Sequence, residues 1–373
     1  MVESQAHRFL LAGGGTGGHI YPALAIADAL RRERPESQFL FVGAEGKMQM
    51  QRVPKAGYRI TAIPVMGFHR GLDRRNLAFP FKLARSLGRA RSIVADFAPS
   101  AAIGTGGYVS GPALMTARLR GVPVFLQEQN ALPGVTNRLL SRVAQTVFTA
   151  YEEAHGFFPS GTPHLSGNPL RLHLDPTAMP GAAFAKTHYG LDPDRPVLLS
   201  FGGSLGARSM NEALAAMTGF WRKHNDLQLI WQTGEGYFDT YKDSPTAQLP
   251  NVTCLRYLER MDLAYAAADL VSCRAGALSI SELQLLGKAA LLIPSPNVSG
   301  DHQTANARAV EAAGGAILVP DVEQRARLVQ LLPQLLADAD ATEDMARNMA
   351  AMARPQAARD IARAIIAYVE RRP

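Results

Sequence analysis

Cysteine is nearly absent: among 373 residues only Cys254 and Cys273 occur. Both lie in apolar, strand-like runs, which excludes a disulfide framework and suits buried thiols in a reducing compartment. No Cys/His spacing of a zinc site is found. Long apolar runs are missing too, since nothing approaches the roughly 18 uninterrupted apolar residues of a spanning helix. Phe9-Leu10-Leu11-Ala12 is too short for the apolar region of a secretory signal and runs directly into glycines. A cytoplasmic chain is therefore expected, with any membrane contact peripheral. Acidic residues are the minority charge, 32 against 39 basic ones, for a net +7 with neutral His. That excess suits an anionic partner, whether nucleic acid, an anionic membrane or a phosphorylated ligand.

Hydrophobic residues make up 47% and charged residues 19%, which excludes a disordered chain. The length suits two domains. Thirty-three Gly and 24 Pro predict many tight loops between regular elements. Short apolar runs at 9–12, 39–42, 101–103, 122–126 and 146–149 read as buried strands. Helical patterns lie between them near 20–34, 77–95, 111–119 and 133–142. The pattern then restarts, with strands expected at 197–201, 227–232, 252–255, 270–273 and 289–293. Strand–helix alternation of this kind predicts an α/β chain of two Rossmann-like, doubly wound domains. The expected division is 1–165 and 166–354, at Leu165-Ser166-Gly167-Asn168-Pro169 where both periodicities stop. A last helix within 355–373, at about 357–371, is free by sequence to pack on either domain.

The first strand of each half leads into glycines. Gly13-Gly14-Gly15-Thr16-Gly17-Gly18 matches the dinucleotide fingerprint formally, but the second strand ends Val42-Gly43 without the ribose-binding acid, which argues against a nicotinamide cofactor. What remains is an anion cradle: glycines let backbone N–H groups approach, and the next helix starts with partial positive charge. Pro22 is expected in the first turn of that helix. His19 follows the loop, either as a general base or as a polar helix-start residue. A second cluster, Gly104-Thr105-Gly106-Gly107-Tyr108-Val109-Ser110-Gly111-Pro112, follows the strand at 101–103. Adjacent strand ends share one crevice, so the two loops can hold a diphosphate between them. Gln127-Glu128-Gln129-Asn130 ends the next strand and suits hydroxyl and amide recognition, or a solvated loop with a helix cap.

In the second half, Gly202-Gly203-Ser204 opens a helix near Arg208 and suits a nucleotide diphosphate. Gly276-Ala277-Leu278-Ser279-Ile280-Ser281-Glu282 runs from a turn into a helix, where Glu282 can accept both hydroxyls of a ribose or merely favour the helix start. Asp301-His302-Gln303 begins another helix, and Gln303 can reach sugar hydroxyls. The pairs Asp192/Asp194 and Asp338/Asp340 resemble metal-holding carboxylates, but neither follows a strand, so no metal site is expected. Residues 70–91 hold Arg70, Arg74, Arg75, Lys82, Arg85, Arg89 and Arg91 against Asp73 alone. Interleaved with Phe68, Leu72, Phe79 and Phe81, they read as a surface for anionic lipid rather than a solvated helix face. Nucleic acid is not expected, because no recognition motif supports it.

Together these motifs resemble the MurG family, UDP-N-acetylglucosamine:N-acetylmuramyl-(pentapeptide) pyrophosphoryl-undecaprenol N-acetylglucosaminyltransferase. The resemblance spans nearly the whole chain and rests on six motifs in order. They are Gly14-Gly15-Thr16-Gly17-Gly18-His19, Gly106-Gly107-Tyr108-Val109-Ser110-Gly111-Pro112, Glu128-Gln129-Asn130, Gly167-Asn168-Pro169-Leu170-Arg171, Gly202-Gly203-Ser204 and the stretch from Gly276 to Glu282. It departs where Ala275 stands in place of a frequent Ser and Thr304 in place of a Gln.

The resemblance implies a glycosyltransferase-B fold, two domains facing across a cleft, a C-terminal helix within 355–373 that packs back on the first domain, and a reaction needing no cofactor. By motif it implies UDP-N-acetylglucosamine contacts at Thr16, Gly17, Gly18, Asn130, Arg171, Ser204, Leu258, Ala277, Leu278, Ser279, Ile280, Ser281, Glu282 and Gln303. Gly14, Gly15, Gly106, Gly107, Tyr108 and Ser110 are implied as the acceptor diphosphate site. His19, or a nearby carboxylate such as Glu128, is the implied base. The implied acceptor is undecaprenyl-pyrophosphoryl-N-acetylmuramyl-pentapeptide, at the cytoplasmic face of the bacterial inner membrane. Phe79, Phe81, Lys82, Arg85 and Arg89 are expected to meet that membrane. The alternatives are a UDP-N-acetylglucosamine 2-epimerase and a non-catalytic nucleotide-sugar sensor.

Overall fold

The computed structural model describes residues 6–15, 17–64, 79–170, 174–203 and 205–372, with only the backbone for Phe79, Pro80 and Ser299. Thr16, Arg171, Ser204 and the stretch holding Phe68, Arg70, Leu72, Arg74 and Arg75 lie outside the described residues. The chain divides into two compact units, Met1–Arg171 with Arg354–Pro373, and Leu172–Ala353.

The first unit runs β1 (Arg8–Gly13), α1 (Gly17–Glu33), β2 (Gln38–Ala44), α2 (Gln49–Lys55), β3 (Arg59–Ile63), α3 (Phe79–Phe97), β4 (Ala101–Gly106), α4 (Ser110–Leu119), β5 (Val124–Glu128), α5 (Val135–Leu140), β6 (Thr146–Thr149) and β7 (Pro163–Leu165). Its strands form one sheet in the order β3-β2-β1-β4-β5-β6-β7. Each neighbouring pair is parallel. Both faces are covered, which is why the strands read as continuous apolar runs. Phe9 and Leu11 enter the core shared with Ile20, Leu24 and Ala27 of α1. Leu10 and Ala12, pointing the other way, enter the core with Val94 of α3 and Leu114 of α4.

The second unit runs α6 (Ala182–His188), β8 (Val197–Phe201), α7 (Arg208–Ala215), α8 (Thr218–Lys223), β9 (Gln228–Gln232), α9 (Phe238–Tyr241), β10 (Val252–Leu255), α10 (Met261–Ala267), β11 (Leu270–Cys273), α11 (Ala277–Leu286), β12 (Ala290–Leu292), α12 (His302–Ala312), β13 (Ala316–Leu318), α13 (Gln324–Ala337) and α14 (Ala339–Ala351). Its parallel sheet has the order β10-β9-β8-β11-β12-β13. The chain closes with α15 (Ala357–Glu370), which belongs to the first unit. Ile361, Ala362, Ile365 and Ile366 are its buried stripe, at the one-turn spacing of a helix face, and they join the core of α1. Burying each Ile contributes about 1.5–3 kcal/mol.

Three strands go beyond the expected ten: β3, β7 and β13. The division also falls after Arg171 rather than after Leu165. The amides of Ser166 and Gly167 both donate to the Thr149 carbonyl, at 2.9 and 3.0 Å, which ties this segment to β6. Helix α1 starts at Gly17, earlier than expected, so Pro22 lies inside it rather than in its first turn. With no N–H at Pro22, the Gly18 carbonyl loses its helical donor.

Both sheets are doubly wound. In the first, strand order reverses between β1 and β4, and in the second between β8 and β11. The loops at the carboxyl ends of these four strands sit where open α/β sheets hold their ligands.

Candidate functional site

In the first unit, the two loops at the reversal are the two glycine clusters, and they touch. Gly107 has φ +81°, and a Cβ on it would collide with the Gly14 carbonyl oxygen. Gly106 has φ +104°, and a Cβ there would stand 2.9 Å from the His19 ring. Each glycine thus makes room for a group of the other loop, the situation in which a side chain is excluded twice, by φ and by contact. Gly15 and Gly18 are exposed, while Gly14 and Gly106 are buried and Gly17 and Gly107 half-buried. The first-turn amides of α1, at Gly17, Gly18 and His19, have no intrahelical partner to meet.

His19 is half-buried, and its Nδ1 lies 2.9 Å from the Thr105 carbonyl oxygen and 2.9 Å from Gln129 Oε1. The Gln129 amide is oriented by its surroundings. Its Nε2 donates to Thr105 O at 2.8 Å, to Gln127 O at 3.0 Å and to Gln127 Oε1. Gln129 therefore presents an acceptor to the imidazole. Facing two acceptors, Nδ1 carries the proton, and Nε2 keeps its lone pair. The Thr105 hydroxyl completes the clamp by donating to the His19 carbonyl at 2.7 Å.

Glu128 is 1% exposed and fully engaged. Its Oε1 accepts from the Asn130 amide N at 3.0 Å and Asn130 Nδ2 at 3.1 Å. Its Oε2 accepts from the Gly134 amide at 3.1 Å and Asn137 Nδ2 at 2.9 Å. This carboxylate holds the chain between β5 and α5 in place. Asn168 fastens the same strand end, its Nδ2 donating to Gln129 O at 3.1 Å while its Oδ1 accepts from Gln127 Nε2 at 3.0 Å. Ser110 corrects one expectation, for its hydroxyl is buried and spent on Ala12 O and Gly106 O, both at 2.8 Å. It cannot offer that hydroxyl to a diphosphate. Tyr108, 56% exposed, is open to one.

In the second unit, Gly202 and Gly203 follow β8. The Gly203 carbonyl accepts from Gln232 Nε2 at 2.9 Å, and a Cβ on Gly206 would collide with the Thr233 carbonyl, so this loop rests on the end of β9. After β11, Gly276 starts α11 with no side-chain cap, which leaves its first-turn amides, Leu278 and Ser279 among them, facing the loop end of the sheet. Glu282 is half-buried, and burial pushes its carboxyl up to about 7, while the hydrogen bond from the Tyr265 hydroxyl, 2.9 Å away, works against that rise. Gln303 Oε1 accepts from the Ser295 amide at 2.8 Å. Arg274 clamps the rim, donating to Ile293 O at 3.2 Å, Pro294 O at 3.1 Å and Ser209 Oγ at 2.6 Å, and pairing with Asp321.

Within the run from Ala277 to Glu282 the Ile280 side chain is completely buried, and the Ser281 hydroxyl donates to Ala277 O at 3.0 Å. Leu258 is likewise buried. The acidic pairs are also accounted for: Asp192 pairs with Arg195 at 2.9 Å, and Asp338 accepts from the Ala341 amide at 3.0 Å at the start of α14. On α3, Phe81 is 81% exposed, and Lys82, Arg85 and Arg89 are exposed with it. Among the described residues no helix is long and apolar enough to cross a membrane.

Gln129, Thr105, Asn168 and Asn137 were not singled out as site residues by sequence. Gln129 and Thr105 stood beside residues that were, and Asn168 lay inside a quoted motif; nothing pointed to Asn137.

The sequence models of the glycosyltransferase family 28 N-terminal and C-terminal domains match residues 9–149 and 197–361. The UDP-N-acetylglucosamine--N-acetylmuramyl-(pentapeptide) pyrophosphoryl-undecaprenol N-acetylglucosamine transferase of Bacteroides thetaiotaomicron is 45% identical over 97% of this chain and 98% of its own. The crystal structure of Acinetobacter baumannii MurG is similar with a TM-score of 0.77 at 29% identity, over 97% of this chain and 99% of that one. A UDP-GlcNAc 2-epimerase from Neisseria meningitidis, bound to UDP-GlcNAc, is similar with a TM-score of 0.66 at 15% identity, over 96% and 100% of the two chains, which shows a shared fold alone.

Proposed function

We infer the reaction from one premise: the chain belongs to glycosyltransferase family 28 and, within it, to the MurG family. It is a hexosyltransferase of glycosyltransferase-B fold that moves N-acetylglucosamine from UDP-N-acetylglucosamine to lipid-linked pyrophosphoryl-N-acetylmuramyl-pentapeptide, a step of peptidoglycan synthesis. The observation that carries this reading is identity of 45% along nearly the whole of both chains.

The residue roles are assigned on chemistry. His19 Nε2 takes the proton of the acceptor's 4-hydroxyl, and that oxygen displaces UDP from the anomeric carbon with inversion. Thr105 and Gln129 hold the ring through Nδ1 and stabilise the imidazolium that forms. The first unit's glycine loops take the acceptor diphosphate. The second unit takes most of the donor, with the first-turn amides of α11 favouring the negative charge that develops on leaving UDP, and Thr16, Gly17, Gly18 and Asn130 of the first unit complete its contacts. Glu282 accepts the ribose hydroxyls. Transfer of labelled N-acetylglucosamine to the lipid acceptor, with and without chelator, tests the reading. Release of N-acetylmannosamine, or donor binding without product, would overturn it.

Glu282 gives a pH prediction. An acceptor of two hydroxyl protons works only as the carboxylate, and burial holds its pKa near 7. The KM for donor should rise roughly tenfold as pH falls from 8 to 6, following the ionised fraction. In Glu282→Gln that dependence should vanish and KM at pH 8 should be raised. An unchanged profile in the variant would remove Glu282 from the ribose. Folding runs the opposite way: the native carboxyl keeps its proton to a higher pH than the unfolded one, so this group costs stability as pH rises toward 7.

The exposed face of α3 is assigned to anionic lipid, which makes the chain a peripheral protein of the inner membrane's cytoplasmic face. Each basic residue near such a surface contributes about 1 kcal/mol. Arg85→Glu with Arg89→Glu should therefore lower binding to anionic vesicles by at least about tenfold while leaving donor binding intact. Vesicle binding equal to wild type would refute the assignment.

A further inference from the structure

Gln49 opens α2, beyond the end of β2, and none of the motifs includes it. Its side chain is completely buried, and neither Nε2 nor Oε1 has a hydrogen-bond partner among the described residues. The slot that holds it is cut by two glycines. A Cβ on Gly14 would lie 2.5 Å from Nε2, and one on Gly43 would lie 2.9 Å from Cγ. So the amide lies against the backbone of the first glycine loop, and a side chain at either position would force it to shift.

A buried amide with both ends unmatched costs stability, whereas an apolar group of similar shape in the same slot does not. A slot kept clear for such a group points to a partner acquired in another state. The adjacent backbone can supply one. The Gly14 carbonyl now faces Gly107, and Gly15 has φ +101°, so the peptide joining Gly14 to Gly15 can turn without a Cβ penalty on either side.

We propose that Gln49 is a positioning residue for the acceptor's diphosphate: as the anion settles on the loop, this peptide turns its carbonyl to Gln49 Nε2 and its N–H outward to the phosphate oxygens. The carbonyl and N–H of one trans peptide point in opposite directions, so the turn that gives Gln49 Nε2 an acceptor also aims a donor at the anion. This rests on the reading of the loop as the acceptor diphosphate site.

Gln49→Leu in the full chain tests it, with Gln49→Met in reserve should Leu not fold. The expected result is a Tm equal to or above wild type, an unchanged donor KM, and an acceptor KM raised about tenfold, the worth of one hydrogen bond to a charged ligand. Inorganic pyrophosphate, competing with the acceptor, should inhibit the variant more weakly by a similar factor. A lower Tm with an unchanged acceptor KM would make Gln49 a purely structural amide and overturn the proposal. If wild type transfers sugar but pyrophosphate does not compete with the acceptor, the reading of the loop falls and the proposal with it. If pyrophosphate competes and the variant keeps the wild-type acceptor KM, only the role of Gln49 falls.

Discussion

His19→Ala should lower turnover by about three orders of magnitude, within the 10²–10⁴ range expected of a lost general base, while changing Tm little. The small stability effect follows from the geometry. His19 is half-buried, and among the described residues its ring hydrogen-bonds through Nδ1 alone, to Thr105 O and Gln129 Oε1, of which Thr105 O keeps a second donor in Gln129 Nε2. The large kinetic effect follows from the tautomer. Two oxygens at 2.9 Å fix the proton on Nδ1, which leaves the basic lone pair on Nε2 and nowhere else. Donor affinity should change little, because the donor is assigned mainly to the second unit. Added imidazole should restore part of the rate, since the deletion leaves a cavity where the base stood. Gln129→Leu should give a smaller loss, as the ring keeps Thr105 but loses one of its two anchors. Turnover within threefold of wild type in His19→Ala would end the assignment of this residue as base.

The pairing of His19 with Gln129 spans 110 residues, and nothing local in the sequence announces it. The turns after β1 and β4 were legible because consecutive glycines between an apolar run and a helical period mark a passage from strand to helix. The alternation of apolar runs with helical periods likewise gave the two sheets, since strands covered on both faces read as unbroken apolar stretches. Edges were harder. Arg59–Ile63 is an edge strand, half-buried over most of its length, so it carries no apolar run. Pro163–Leu165 and Ala316–Leu318 are three residues each and end their sheets, too short for any period to show. A motif does not say which way a side chain points. The side chains of Ser110, Ile280, Ser281 and Leu258 are buried by packing that only the tertiary structure reveals, which leaves their backbone groups as the means of any contact. Gln49 is the opposite case, a residue with no motif at all whose oddity is visible only once its buried amide is found unmatched.

Glu128→Ala should destabilise the first unit by about 3–4 kcal/mol, because it takes the acceptor from one buried and three half-buried donors, and each such loss costs at most about 1–3 kcal/mol. Those donors are the amides of Asn130 and Gly134 and the side-chain nitrogens of Asn130 and Asn137. Asn137 Nδ2 keeps a 3.2 Å bond to Gln127 O, so its loss is partial, which holds the sum below the simple total. A unit of this size should lose on the order of 10 °C in Tm. Glu128→Gln should cost less, since one oxygen survives, but its new N–H₂ must face donors and so it too should melt earlier than wild type. These variants separate the two candidate bases. If the carboxylate only anchors the chain around Asn130, Glu128→Gln assayed well below its Tm should keep turnover within about tenfold of wild type, a loss set by loop placement rather than by proton transfer. If Glu128 were the base, the same variant, assayed equally far below its Tm, would lose turnover on the scale predicted for His19→Ala. The four donors around the carboxylate argue for the first outcome: an oxygen already accepting two hydrogen bonds has no lone pair directed at a substrate hydroxyl, and freeing one would undo the loop that the carboxylate holds.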